Sequence, residues 1–253
     1  MKKINIILLG LFLSVSSINV YAEAEDLPFT EPSAPAKAMN SIDKYESYNR
    51  SVFGFNMAFH DAIGSPVTNA YSTYVPSPIQ TGFKNFFSNL TVPLDVVNSA
   101  LQGKGEQSME SFMRFVINTT FGLGGLLDIA TPAGLHKKNE DFGQTLFVWG
   151  FWDEATFVML PFLGPRTTRN MVGITTDIVV DPVYRIGDTN LSQTAVSVGD
   201  TVVSYAQAAP LIDALSEQTD PYIFMRESYL QYRTNLIYDG NPPQVDLDDF
   251  DFD

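Results

Sequence analysis

The chain has 253 residues, no cysteine, and 29 acidic residues against 15 basic ones, for a formal net charge of −14. That balance argues against nucleic acid as a partner, because a phosphate backbone is held by clustered lysine and arginine. The missing cysteine removes thiol catalysis, iron–sulfur clusters, cysteine-based structural zinc and an acyl anchor on cysteine, while an exported chain of this length needs no disulfide to hold a core.

Residues 1–22 read as a secretory signal peptide: Lys2 and Lys3 precede an apolar run from Ile4 to Val20, and small residues favour cleavage after Ala22. A retained anchor is the weaker reading, since the run is short and interrupted by Asn5, Asn19 and several serines. Cleavage leaves 231 residues with 13 basic and 29 acidic side chains, a net charge near −16. Residues 23–42 form a flexible linker in which Pro28, Pro32 and Pro35 prevent regular structure.

A helical domain is predicted over residues 43–240. Asp43 and Glu46 have the spacing of a capping box, and Tyr45, Tyr48, Val52, Phe55 and Phe59 follow at helical intervals. A second unit runs from Ile63 to Ser72 and ends at the breaker Val75-Pro76-Ser77-Pro78; a third carries Ile79, Phe83, Phe86 and Leu90. Pro93 suits the first position of a further helix bearing Leu94, Val97 and Leu101, with Gly103 as its cap. Met109, Phe112 and Val116 continue the period up to Gly122-Leu123-Gly124-Gly125. Asp141 caps a helix starting at Phe142, Pro165 opens another, and Pro221 behind Asp220 opens the last, with Met225, Tyr229, Tyr232 and Leu236 on one stripe. Thr176–Val180 and Val196–Ala208 are read as helical despite their β-branched residues. Residues 241–253 form an acidic tail with five aspartates between Asp246 and Asp253, expected to be disordered and solvated, with a docking peptide as the sharper alternative.

Charge is unevenly spread. Between Ser51 and Gly134 there are only eight charged residues in 84, where an ordinary soluble domain carries roughly one in four. That segment is either a deep core or faces something other than water, and its Phe, Tyr and Gly favour the second. No uncharged apolar run of about 20 residues follows the signal, as a conventional spanning helix requires, and no alternating ten-residue segments recur as in a transmembrane barrel. Short kinked helices of this kind lie in an interface or form a re-entrant wall; burying one another in a soluble bundle is the blander alternative.

No catalytic constellation is found. His60 and His136 are the two imidazoles and form no metal-binding pair, so no metal and no cofactor is implied. There is no GxSxG elbow, and Gly122 to Gly125 lack the lysine and serine of a phosphate loop. Glu140 and Asp141 are adjacent and do not share a helix face, which disfavours an acid–base pair.

Several stretches together resemble the MlaA (VacJ) family of Gram-negative outer-membrane proteins: Tyr48-Asn49-Arg50 with Phe55-Asn56, Tyr74 to Pro78, Asn85 to Leu90 with Pro93, and Asn98 with Leu101-Gln102-Gly103. The likeness continues through Arg114 to Thr120, Gly122 to Asp128, Glu140 to Leu146, Trp149-Gly150, Leu160-Pro161 with Leu163-Gly164-Pro165, and Asp220-Pro221-Tyr222 with Arg226, so that order and spacing hold from Asp43 to Tyr238.

What the resemblance implies is an all-α, ring-like domain of short amphipathic and re-entrant helices around a central amphipathic channel, set in the inner leaflet of the outer membrane on its periplasmic side. Such proteins take phospholipid from the outer leaflet and deliver it to a periplasmic MlaC-type carrier, which supplies an ABC transporter of the MlaFEDB type; trimeric porins are their membrane partners. The work is transport, not catalysis. The candidate headgroup path is Asn49, Arg50, Arg114, Asp128, Arg169 and Asp177, with Gly122, Gly124 and Gly125 as a flexible turn at the channel mouth, although tight packing also explains such glycines. Arg114 stands four residues after Glu110, so an i, i+4 surface pair is its alternative. The chain departs from the family in lacking the acylated cysteine, in reading Asp153-Glu154-Ala155-Thr156 where Gly-Pro-Tyr is usual, and in having Asn170 where Asp is usual. The rival readings are a soluble periplasmic lipid carrier, which suits the missing cysteine, and a phospholipid hydrolase, which the absent catalytic residues disfavour.

Overall fold

The computed structural model describes residues 43–152, 155–180, 186 and 189–243. The signal peptide, the linker, Asp153 and Glu154, and the acidic tail from Gln244 on lie outside the described residues.

The chain opens on helix α1 (Glu46–Phe59), passes through a single π turn (His60–Gly64) and continues without a break into α2 (Ser65–Tyr74). Val75 and Pro76 are extended, as the prolines there dictate, and α3 (Ser77–Leu101) follows. This helix corrects the sequence reading. Pro93 does not start a helix but lies inside one of 25 residues, about 37 Å long. The hydrogen bond that a proline lacks costs about 3 kcal/mol in an isolated helix; here the long packing of α3 along α4 (Gly105–Thr120) holds both halves in line. Gly103 ends α3 at φ +78°, in the left-handed region expected of such a cap.

After α4 come two tight turns, then α5 (Phe142–Val148), a hairpin of β1 (Phe157–Leu160) and β2 (Gly164–Thr167), α6 (Thr168–Val180), α7 (Asn190–Leu215) and α8 (Pro221–Ile237). Asp141 caps α5 by accepting from Gln144 N at 2.9 Å, and Asp220 caps α8 by accepting from Tyr222 N and Ile223 N at 3.1 Å, both as the sequence predicts. Thr176–Val180 and Val196–Ala208 are helical. Pro165, expected to open a helix, instead pairs with Met159 in the antiparallel hairpin, and the helix begins only at Thr168. The reason is tertiary: Asn49 donates to Phe157 O and accepts from Met159 N at 2.8 Å, clamping β1 in extended form for β2 to pair with.

The apolar core lies at this end of the molecule. Val52 of α1, Phe157 and Met159 of β1, Leu215 of α7 and Tyr222, Met225 and Tyr229 of α8 form one cluster. Asp43 sits beside it. It makes no capping box; it is buried, receiving Arg226 Nη1 at 2.9 Å, Asn49 Nδ2 at 2.7 Å and the Tyr222 hydroxyl at 2.5 Å. Tyr45 takes the cap position without a side-chain bond.

Candidate functional site

The other half of the molecule reverses the usual arrangement of a helix pair. In α4, Met109, Phe112, Met113 and Val116 recur at i, i+3, i+4 and i+7 and are exposed, whereas Ser111, Arg114 and Asn118 on the opposite face are buried. Helix α3 repeats this: Ile79, Phe83, Val97 and Leu101 face outward, and Asn89, Asp95, Asn98 and Ser99 face inward. Ile63, Val67 and Tyr74 extend the apolar surface before these helices; Phe121, Leu123, Leu126, Leu127 and Ile129 extend it after them. A monomer in water rarely exposes apolar patches beyond a few hundred Å², and it does not spend its polar side chains on the interior. Among the described residues no helix is long and apolar enough to cross a membrane.

The buried polar face builds a small site between α3, α4 and the loop behind them. Arg114 donates to Asp128 Oδ2 at 2.8 Å, Thr131 Oγ1 at 2.7 Å and Leu135 O at 2.6 Å, so it pairs with Asp128 and not with Glu110. Asn118 donates to Asp128 and accepts from Ile129 N and Ala130 N at 2.8 and 2.9 Å, holding the loop onto α4. Burial alone would raise the Asp128 pKa, but hydrogen bonds from Thr131, Arg114 and Asn118 outweigh it and bring it down to about 2, so the carboxylate stays charged at neutral pH. Asn85, Ser88 and Asn89 of α3 close a pocket of about 210 Å³, partly open, over this pair. Asn89 donates to Thr119 Oγ1, while its Oδ1 is buried without a partner. Gly122 and Gly125 are close-approach glycines: a Cβ on Gly122 would meet Leu127 O at 2.2 Å, and one on Gly125 would meet the Asn89 side chain at 2.7 Å, whereas Gly124 stands in open space at φ +73°.

A larger pocket, about 540 Å³ including open space, lies between α1, the hairpin and α7, with Phe53, Met57, Phe59, Phe162, Leu163 and Ile212 in its wall. At one side His60, buried, bonds Tyr205 through Nδ1 at 2.9 Å and Asp213 through Nε2 at 2.8 Å. Burial, with Asp213 and Asp61 nearby, pushes the Tyr205 hydroxyl up to about 12 and keeps it protonated. Gly64 lets Tyr205 approach closely, since a Cβ there would meet the Tyr205 hydroxyl at 2.4 Å and its ring at 2.6 Å unless that side chain moved. Among the described residues no group of three His, Cys, Asp or Glu is placed to hold a metal ion.

Comparison with known proteins decides what kind of inverted helix pair this is. The family model described as MlaA lipoprotein matches residues 41–236. The chain belongs to the MlaA family. It is 35% identical over 206 residues to the intermembrane phospholipid transport system lipoprotein MlaA of Escherichia coli, covering 78% of this chain and 79% of that one, and 32% identical over 208 residues to the protein of the same name from Haemophilus influenzae, covering 78% and 80%. An uncharacterized protein of Rickettsia prowazekii is 34% identical over 205 residues, covering 77% and 80%. Among solved structures, the chain superposes with a TM-score of 0.65 at 34% identity on one from a study of how bacterial outer membrane lipid asymmetry is maintained, covering 79% of this chain and 99% of that one. The all-helical, ring-like fold expected from the resemblance is therefore the MlaA fold; among the described residues its only strands are those of one short hairpin.

Within that fold the sequence-predicted residues fall into separate places. Arg114 and Asp128 are in direct contact. Asn49 is buried and holds β1, while Arg50 bonds Asp220 at 3.0 and 3.3 Å, bonds Glu46 at 2.7 Å and stacks over Tyr222 at 4.5 Å, tying α1 to the start of α8. Arg169 is buried on α6, donating to Trp152 O at 2.9 Å and lying 4.9 Å over Phe147. Asp177, two turns further along α6 and half-buried, accepts from Phe142 N at 3.4 Å. Asn170, the position where the resemblance leads one to expect Asp, points its amide at Asp141 Oδ2 from 3.3 Å; a second carboxylate there would face Asp141, which Arg233 already neutralises. Glu140 turns away from Asp141 to receive Lys104 and Gln102. Sequence reasoning missed Asn89, Asp95, Asn98, Asn118 and the His60–Tyr205 pair. The available signal was a polar stripe at helical spacing opposite each apolar one.

Proposed function

We propose that this chain removes phospholipid from the outer leaflet of the bacterial outer membrane and passes it through an amphipathic channel to a periplasmic MlaC-type carrier, so preserving lipid asymmetry without covalent chemistry. The single observation that carries the reading is the inversion of α3 and α4, with Met109, Phe112, Met113 and Val116 outward and Arg114 and Asn118 inward. An apolar exterior is stable against acyl chains, and a polar interior lowers the cost of moving a charged headgroup past them. Named relatives belong to an intermembrane phospholipid transport system, which supports the same substrate. In this reading the chain lies on the periplasmic side of the outer membrane, next to a trimeric porin, and its embedded helices and that partner contribute to holding it there. The headgroup path runs over Asn49, Arg50, Arg114, Asp128, Arg169 and Asp177, with the turn at Gly122 to Gly125 beside its mouth.

The test is fractionation together with complementation. Cells that lack the native gene and express this chain should retain it in outer membranes until detergent is added, and should regain their barrier to hydrophobic antibiotics. Release in osmotic-shock fluid would instead assign the chain to the soluble carriers. If alanine variants of all six path residues restore the barrier fully, the path is elsewhere.

A further inference from the structure

The loop behind α4 ends in His136-Lys137-Lys138, a basic tripeptide in a chain whose net charge is −14. From Ile129 to Asn139 there is no acidic residue, and among the described residues neither lysine makes an ion pair. The nearest carboxylates in sequence are already satisfied: Glu140 by Lys104, Gln102 and Gln107, Asp141 by Arg233, and Asp128 by Arg114, Asn118 and Thr131. Among the described residues, therefore, the positive charge of the tripeptide is not cancelled locally.

It is also held in place. On one side Leu135 N bonds Ala130 O at 3.1 Å and Leu135 O receives Arg114 at 2.6 Å; on the other Asn139 O receives Gln144 Nε2 at 2.9 Å and Glu140 N bonds Asp95 at 3.1 Å. The bond from Leu135 to Ala130 brings the start of the tripeptide back beside Ile129, the last member of the exposed apolar run Phe121, Leu123, Leu126, Leu127, Ile129. His136 and Lys138 are exposed and Lys137 half-buried. A cationic bridge whose backbone is anchored at both ends, and which starts beside an apolar face, has the composition of a membrane-surface contact, in which the apolar residues enter the acyl region and the lysines reach the headgroup phosphates.

We propose that Lys137 and Lys138 form a docking site for anionic phospholipid headgroups, which sets the depth and tilt of the domain in the leaflet. This rests on the reading that the apolar face is embedded. Each lysine near an anionic surface strengthens binding about 5-fold, so the pair contributes about 25-fold, and the effect fades as salt screens it.

The full chain, purified in detergent, is mixed with vesicles of phosphatidylethanolamine alone or with added phosphatidylglycerol, and bound protein is separated by flotation. The expected result is stronger association with the anionic vesicles, lost at high salt and lowered about 25-fold in K137Q/K138Q, with the variant binding neutral vesicles as well as the original chain does and keeping the same helical circular dichroism. Equal binding of both proteins to anionic vesicles overturns the proposal, including the case in which the lysines serve an acidic protein partner. Failure of the original chain to bind even neutral vesicles overturns the embedding itself, and is distinguishable from the first failure.

Discussion

Arg226 and Asp43 form an ion pair with both side chains almost wholly buried, Nη1 to Oδ2 at 2.9 Å, joining the last helix to the residues just before the first. Arg226 also donates to Glu227 at 2.8 Å, so removing Arg226 strands the Asp43 carboxylate and takes the partner from Glu227, which costs about 3–5 kcal/mol. Arg226→Met is therefore expected to lower stability in detergent by that order, and Arg226→Met combined with Asp43→Asn to recover part of the loss. A double variant no more stable than Arg226→Met would show that the pair is not coupled.

Asp128 gives the stability of the α4 region a pH dependence. Its folded pKa of about 2 lies below the ordinary carboxylate value, so the stabilisation is complete above that ordinary value, near pH 4, and is lost as pH falls through 2. The contribution at neutral pH is about 2 kcal/mol. In denaturant titrations between pH 7 and 2, the gap between the original chain and Asp128→Asn should close at the acid end. A gap that stays constant with pH contradicts the assignment.

The glycines separate packing from backbone freedom. Gly122→Ala must displace backbone oxygens of Leu127 and Asn118, and a loss of about 2–3 kcal/mol is expected, typical of overpacking. Gly124→Ala meets no atom but keeps a positive φ, for about 1 kcal/mol. Gly54→Ala, in mid-helix with open space, should stabilise by about 0.5–1 kcal/mol. Thermal unfolding of the three variants gives the order directly, and a harmless Gly122→Ala would mean that this turn yields.

Val116 lies on the outward apolar face of α4. On a water-facing surface Val116→Glu would be nearly neutral, but against acyl chains a charge costs about 2 kcal/mol or more. Carbonate extraction of membranes should release Val116→Glu and retain Val116→Leu. Equal retention of both would place this face against protein or water.

Much of the fold was legible in the chain itself. The apolar stripes at helical spacing, the caps Asp141, Asp220 and Gly103, the breaker around Pro76 and the scarcity of charge between Ser51 and Gly134 all report local chemistry, and local chemistry is enough to place helices and their ends. The family motifs likewise needed only order and spacing. Periodicity, however, measures the contrast between two faces of a helix and not which of them is buried, so only the tertiary structure could put Arg114 and Asn118 inside and Phe112 and Val116 outside. The errors share that origin. Pro93 runs on within α3 because α4 supports both halves, Pro165 is a strand residue because Asn49, 110 residues from Met159, clamps the hairpin, and Asp43 is an ion-pair partner because Arg226 comes back from 183 residues away. In each case a contact distant in sequence outweighed a local preference worth only about a few kcal/mol, and no local window of sequence contains that contact.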